Sequence, residues 1–239
     1  MKKFLNIFCD NYIIFLVYAF IGWIYEVSWF LIMRHEFVNR GVLFLPFLPI
    51  YGFGILILLL ILNKFMNKKH YANNLIYSSI SIITIITFIY TTIIEYTTTK
   101  ITNVEYYLSN YGIGLIICNI IFLLIINLLI KKSDKLKNFD VTIVLVFLLI
   151  WIITTLTEYI AHYIIDINYH KLLWDYSKDF LNINRRVNWD ASRNFAIGGT
   201  LLLYTIEKYI DKFLKNSKLK TKIIICLIIG IPMIIDLIV

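Results

Sequence analysis

Apolar runs of about 17 to 24 residues recur along the whole chain, and they limit what it can fold into. Strands average about 5 to 6 residues, whereas a helix crossing a bilayer takes about 20. Lipid also demands that every backbone polar group be paired inside the segment or in a closed barrel. The in/out alternation over about ten residues that marks a barrel strand is absent from this sequence. Composition agrees: 60% of residues are hydrophobic and 16% charged, against roughly half and a quarter in a soluble domain. The expected fold is an all-α, polytopic transmembrane helical bundle of about six to seven spans, forming a single integral membrane domain over residues 1–239. Candidate spans fall at about 11–33, 43–63, 74–95, 111–130, 140–163, 194–210 and 221–239.

The basic start Met1-Lys2-Lys3 resembles a secretory signal, but Asp10 and Asn11 interrupt the early apolar run and no small-residue cleavage site follows. It is read as an uncleaved first span. Basic loops stay in the cytoplasm. With the N-terminus inside, Lys2, Lys3, Lys64, Lys68, Lys69, Lys131, Lys132, Lys135, Lys137, Lys208, Lys212, Lys215, Lys218, Lys220 and Lys222 face inward, fifteen of twenty-three basic residues. Seven spans would then place the C-terminus outside. The net charge of +8 reads as lysines facing anionic lipid, not as a nucleic-acid signal. All five arginines, Arg34, Arg40, Arg185, Arg186 and Arg193, fall in the first and third outer loops. Their planar forks bind carboxylate or phosphate at two points.

The first, third and fifth spans each carry a glutamate near the outer end: Glu26, Glu95 and Glu158. The returning helix in each case opens on a glycine pair, Gly52/Gly54, Gly112/Gly114 and Gly198/Gly199. Asn39-Arg40-Gly41-Val42 and Asn184-Arg185-Arg186-Val187 each begin fifteen residues before a glycine, Gly54 and Gly199. This suggests three helical hairpins around a common centre plus one extra span. Chance matches among residues common at membrane helix ends would look the same. The glycines would let helix backbones approach. An ionised carboxylate at such depth is costly and seeks a partner. The glutamates and arginines either pin the outer loops or line a polar cavity for an anionic or zwitterionic solute, with a carboxylate available as a proton site.

Pro46 and Pro49 would kink the entry of the second helix, or Pro49 would simply open it, where proline costs little. The third outer loop, about 164–193, is expected to lie on the membrane as a short amphipathic piece or a lid, with Asp190 or Ser192 capping the next helix. Cys9, Cys118 and Cys226 are scattered within or beside apolar runs and give no disulfide framework or zinc spacing. His35, His162 and His170 show no metal-ligand spacing. No metal and no cofactor is expected.

Three stretches together, Gly22-Trp-Ile-Tyr-Glu26, the segment from Asn39 to Gly54 containing Pro-Ile-Tyr-Gly-Phe-Gly, and the segment from Leu173 to Gly199, resemble the bacterial ABC-transporter type IV permease family. The resemblance covers most of the chain. It draws attention to Glu26, Arg40, Gly41, Pro49, Tyr51, Gly52, Gly54, Trp174, Tyr176, Ser177, Asn184, Arg186 and Ser192. Leu45 and Arg185 stand where the family pattern has glycine, which implies a local difference in loop backbone. The resemblance implies a multi-pass permease-like subunit of a bacterial cytoplasmic membrane, with a separate ATP-binding subunit on the inner side. No Gly-x-x-x-x-Gly-Lys-[Ser/Thr] occurs, so the chain is not itself the ATPase. The candidate binding or ion-pair cluster is Glu26, Arg40, Tyr51, Glu95, Glu158, Trp174, Tyr176, Asn184, Arg185, Arg186 and Arg193. The alternatives are a non-transporting scaffold or assembly protein, including a homo-oligomer, and a membrane-embedded enzyme acting on lipid or envelope head groups.

Overall fold

A computed structural model describes residues 2–41, 43–98, 101–170, 172 and 174–238, with backbone alone for Met33, Lys64, Tyr169 and Leu237. Val42 and Leu173 of the sequence motifs, and Val239 at the end of the last candidate span, lie outside the described residues. Among the described residues the chain is helical and has no strand: α1 (Lys2–Arg34), α2 (Pro49–Met66), α3 (Leu75–Thr97), α4 (Val104–Lys132), α5 (Asp134–Lys137), α6 (Thr142–Tyr169), α7 (Trp189–Thr205), α8 (Glu207–Asn216), α9 (Leu219–Ile225) and α10 (Ile231–Ile238). A π-helical turn, Cys226–Gly230, joins α9 to α10.

Helices α1, α3, α4 and α6 are long and apolar enough to cross a membrane by length and composition; α2 is shorter. The remaining candidate spans coincide with α2, α7 and the α9–π–α10 run. The chain divides into a terminal unit, Met1–Ile61 with Leu203–Val239, and a central unit, Leu62–Leu202.

In the terminal unit α1 and the C-terminal helical run lie side by side and parallel. Lys222 meets Asp10 at 2.6 Å and Asn6 at 3.0 Å. Cys226 Sγ lies 3.9 Å from the Cys9 carbonyl, and Phe15 and Leu16 share a core with Leu43 and Met233. Each rung joins residues about 217 positions apart, so the register holds for several turns. A π turn leaves carbonyls outside the regular ladder. Here the Tyr12 hydroxyl donates to the Gly230 carbonyl at 3.0 Å, and a side chain at 230 would collide with the Tyr12 ring.

In the central unit α3 and α4 form an antiparallel hairpin. Thr91 is hydrogen-bonded to Tyr107 at 3.0 Å, Tyr90 donates to the Tyr111 carbonyl at 3.1 Å, and Asn119 reaches Thr87 at 3.5 Å. Asn74 and Asn103 cap the two helices through their side-chain oxygens. Helix α3 is rich in Ser and Thr, and Ser81, Thr84 and Thr92 donate to the carbonyl one turn earlier. The hydroxyls are thereby satisfied without leaving the helix. Phe88, Phe147, Trp151 and Trp189 pack as an aromatic cluster with centroids 5.0–6.0 Å apart.

Candidate functional site

In the terminal unit, residues 35–48 run back along α1 before α2 begins. The Leu48 amide donates to the Ala19 carbonyl at 2.9 Å, and Ala19 lies fifteen residues, or about 22 Å of helix, before Arg34. Hydropathy alone put the start of the second span at 43. The structure starts it at Pro49. Pro46 lies in the loop and Pro49 opens the helix, where its missing N–H costs nothing.

Non-helical backbone in an apolar setting needs its polar groups paired. The Asn39 side chain donates to the Leu43 and Phe44 carbonyls at 3.3 and 3.2 Å. The Asp236 carboxylate accepts from the Phe44 and Leu45 amides at 3.2 and 2.7 Å. Gly41 has φ +96°, and a side chain there would strike Leu48, so this turn requires glycine.

This loop carries Arg40 to Glu26. The guanidinium Nε is 3.5 Å from Glu26 Oε2, yet it makes no hydrogen bond: the two charges touch without hydrogen-bond geometry. Arg40 also lies over the Phe30 ring, 4.2 Å from its centroid. Tyr51 donates to the other Glu26 oxygen at 2.7 Å and packs where a side chain at Gly22 would stand. Trp23 Nε1 donates to Asn39 at 2.6 Å, fixing the loop beside α1. The Arg40 and Glu26 side chains keep 35% and 23% of their surface exposed.

The central unit holds a tighter cluster. Arg193 donates to Glu95 at 2.6 Å and also pairs with Asp190, one turn earlier on α7. Arg193 and Glu95 are only 14% and 13% exposed. Tyr176 donates to Glu158 at 3.2 Å. Arg186 pairs with Asp166 at 2.8 Å and lies over the Tyr159 and Tyr163 rings. Trp174 donates through Nε1 to the Arg186 carbonyl at 2.8 Å. Its own carbonyl lies 3.0 Å from His162 Nε2, so that nitrogen carries the proton. Among the described residues no group of three His, Cys, Asp or Glu side chains converges.

A family model matches residues 13–108 and 103–239, together spanning 13–239, and its description is "Putative ABC-transporter type IV". The chain belongs to this family. No curated protein and no solved structure matches it. The protein is therefore an ABC-transporter-related membrane protein.

The residues to which the sequence resemblance draws attention can be placed on this frame. Asn184 and Arg185, with φ of 51° and 64°, form the tip of a tight turn closed by the Arg186 amide on the Ile183 carbonyl at 3.0 Å. Two successive left-handed residues make a type I′ turn. Arg185 thus holds a left-handed backbone of the kind that favours glycine. Asn184 donates to Tyr159 at 2.8 Å.

The described residues of the third outer loop, 174–188, contain no helix. They form turns that dock on the α3–α4 connection: the Leu181 amide donates to the Ile101 carbonyl at 3.2 Å, and the Asn182 side chain to that of Thr102 at 3.0 Å. Asn188, not Asp190 or Ser192, caps α7, accepting from the Ala191 amide at 2.7 Å. In the same loop the Ser177 amide and hydroxyl hold the Asp175 carboxyl below its ordinary range.

The glycine pairs divide internally. A side chain at Gly52 would strike Phe15, at Gly114 the Tyr90 hydroxyl, and at Gly199 Ile150, whereas Gly54 and Gly198 have open space and Gly112 makes only ordinary contacts.

Sequence reasoning missed four polar partners. Lys222 is buried against Asp10 and Asn6, and Glu207 accepts from Tyr18 at 2.9 Å. Asp166 and Asp236 were likewise passed over. A charge inside an apolar run was the available signal, but nothing in the sequence identifies partners some 190 to 216 positions away for Lys222, Glu207 and Asp236, or matches Asp166 to Arg186, 20 positions on.

Proposed function

We propose that this protein is the membrane-spanning, permease-type subunit of an ABC transporter in a bacterial cytoplasmic membrane, with its N-terminus inside and C-terminus outside. Arg40 offers a contact for the carboxylate or phosphate of an anionic or zwitterionic solute reaching the outer side. The observation that carries this reading is the loop 35–48. Irregular backbone at membrane depth is tolerated where it lies inside protein or lines a cavity, and this loop brings a half-exposed guanidinium, held by a single 3.5 Å charge contact, to a glutamate. The parallel packing of α1 and the C-terminal helical run supports an odd number of crossings, in keeping with seven.

The test is purification from native membranes in mild detergent, with mass spectrometry of co-purifying chains. A stoichiometric nucleotide-binding subunit is expected, and recovery of this chain alone or only with itself contradicts the reading. A scaffold role is the second reading, favoured by the Glu95–Arg193–Asp190 cluster, where the arginine already meets two carboxylates within the chain. It predicts that removing Arg40 destabilises the protein about as much as removing Glu26, as an Arg40–Glu26 pair with a purely structural role requires.

A further inference from the structure

Helix α8 carries an arrangement that the outer clusters do not use. Its Ile210 and Leu214 are buried, while Tyr209 and Phe213 are 66% and 46% exposed. These two aromatics border a groove of about 330 Å³ whose other walls are Ile13, Val17, Ile210 and Ile225. That volume is at the lower end of the ligand range of about 300–1,000 Å³, and all six lining residues are aliphatic or aromatic.

Beside the groove stands a row of exposed lysines. Lys208 Nζ lies over the Tyr209 ring, 5.1 Å from its centroid, which puts a cation at the groove's edge. Lys215 is paired with Asp211 at 2.5 Å, but among the described residues no carboxylate pairs with Lys208 or Lys212. These two sit one helical turn apart, the spacing at which side chains on a helix face are neighbours. Tyr209 and Phe213 have the same spacing next to them. Two unpaired ammonium groups one turn apart, adjoining an open apolar groove, complement a phosphate that carries a hydrocarbon tail. Long lysine stems can lie along apolar surface and lift the charge to the head-group level, and an amphipathic helix with lysines beside an aromatic edge suits an anionic membrane surface.

We propose that α8, with the facing parts of α1 and α9, binds one anionic phospholipid of the lysine-rich leaflet, its acyl chain in the groove and its phosphate between Lys208 and Lys212. The site does not depend on Arg40 or on any transported solute.

The test is native mass spectrometry of the full-length protein in detergent, titrated with palmitoyl-oleoyl phosphatidylglycerol or its zwitterionic phosphatidylcholine counterpart. One phosphatidylglycerol adduct is expected, favoured over phosphatidylcholine by about tenfold or more, as two surface lysines would give. K208Q/K212Q should abolish the preference. Ile13→Trp, which fills the groove without changing charge, should weaken retention of both lipids. Each variant is checked for wild-type thermal unfolding, and a variant that unfolds early is replaced by K208Q or by Val17→Phe. Equal binding of the two lipids overturns the proposal. So does a preference that survives in K208Q/K212Q, which would assign the charge recognition elsewhere. Competition by glycerol 3-phosphate as effective as that by the lipid would also overturn it, because the groove would then contribute nothing.

Discussion

Arg40 in the terminal unit and Arg193 in the central unit each serve a glutamate on a long apolar helix, but they are built differently. Arg193 stands on α7 one turn from Asp190, so the helix itself presets one ion pair, and Glu95 completes a second at 2.6 Å. Arg40 stands on a loop held by Asn39, Gly41 and Asp236, and meets one carboxylate at 3.5 Å and one aromatic face. Exposure follows the scaffold: the Arg193 side chain is 14% exposed and that of Arg40 35%. Breaking a buried pair leaves an uncompensated charge, whereas an exposed pair is worth little. On the reading proposed above, the same residue types make a structural clamp in one unit and a contact open to exchange in the other.

The largest expected effect is at the clamp. Arg193→Ala should destabilise the protein by about 3 kcal/mol, because Glu95 and Asp190 lose their shared cation; thermal unfolding in detergent measures it. Adding Glu95→Gln and Asp190→Asn should recover part of the loss. Lys222 extends the comparison to a second helix-borne, buried cation. Lys222→Ala should cost about 2 kcal/mol, and Asp10→Asn in that background should relieve it, as read by chemical denaturation. Arg40→Ala should cost about 1 kcal/mol or less while removing solute-dependent ATPase stimulation in the assembled complex. The smallest change has the opposite sign. Arg185→Gly should stabilise by about 0.5 kcal/mol, since a left-handed non-glycine residue carries a penalty partly offset by the entropy of glycine in the unfolded chain.

Much of this architecture could be read from the sequence, because long apolar runs have no other use for their backbone groups than helix formation. All seven expected segments contain helix. The second begins later than its hydropathy because residues 43–48 are apolar without being helical. Gly41 turns the chain, Pro46 lacks an N–H, and Asp236 takes the amides of Phe44 and Leu45. The first begins earlier: Asp10, which looks like an interruption, is paired with Lys222, and Asn6 one turn before it meets the same lysine. Glu26, Glu95 and Glu158 stood out as charges in apolar surroundings, and Arg40, Tyr51, Arg193 and Tyr176 as candidates to meet them, but which residue meets which did not. Arg186 pairs with Asp166, two turns further along α6 than Glu158, and lies over the Tyr159 and Tyr163 rings. Pairing of this kind depends on loop geometry, and the turn at Asn184–Arg185 is set by two left-handed residues that composition does not reveal.

The difference between clamp and contact is tested most directly by two double-mutant cycles run under identical conditions, Glu95/Arg193 and Glu26/Arg40, each residue replaced by alanine singly and together and unfolding followed thermally. The coupling energy is expected to exceed about 2 kcal/mol for Glu95/Arg193 and to stay below about 1 kcal/mol for Glu26/Arg40. Equal couplings, or a larger one at Glu26/Arg40, would contradict the account and make Arg40 a structural residue.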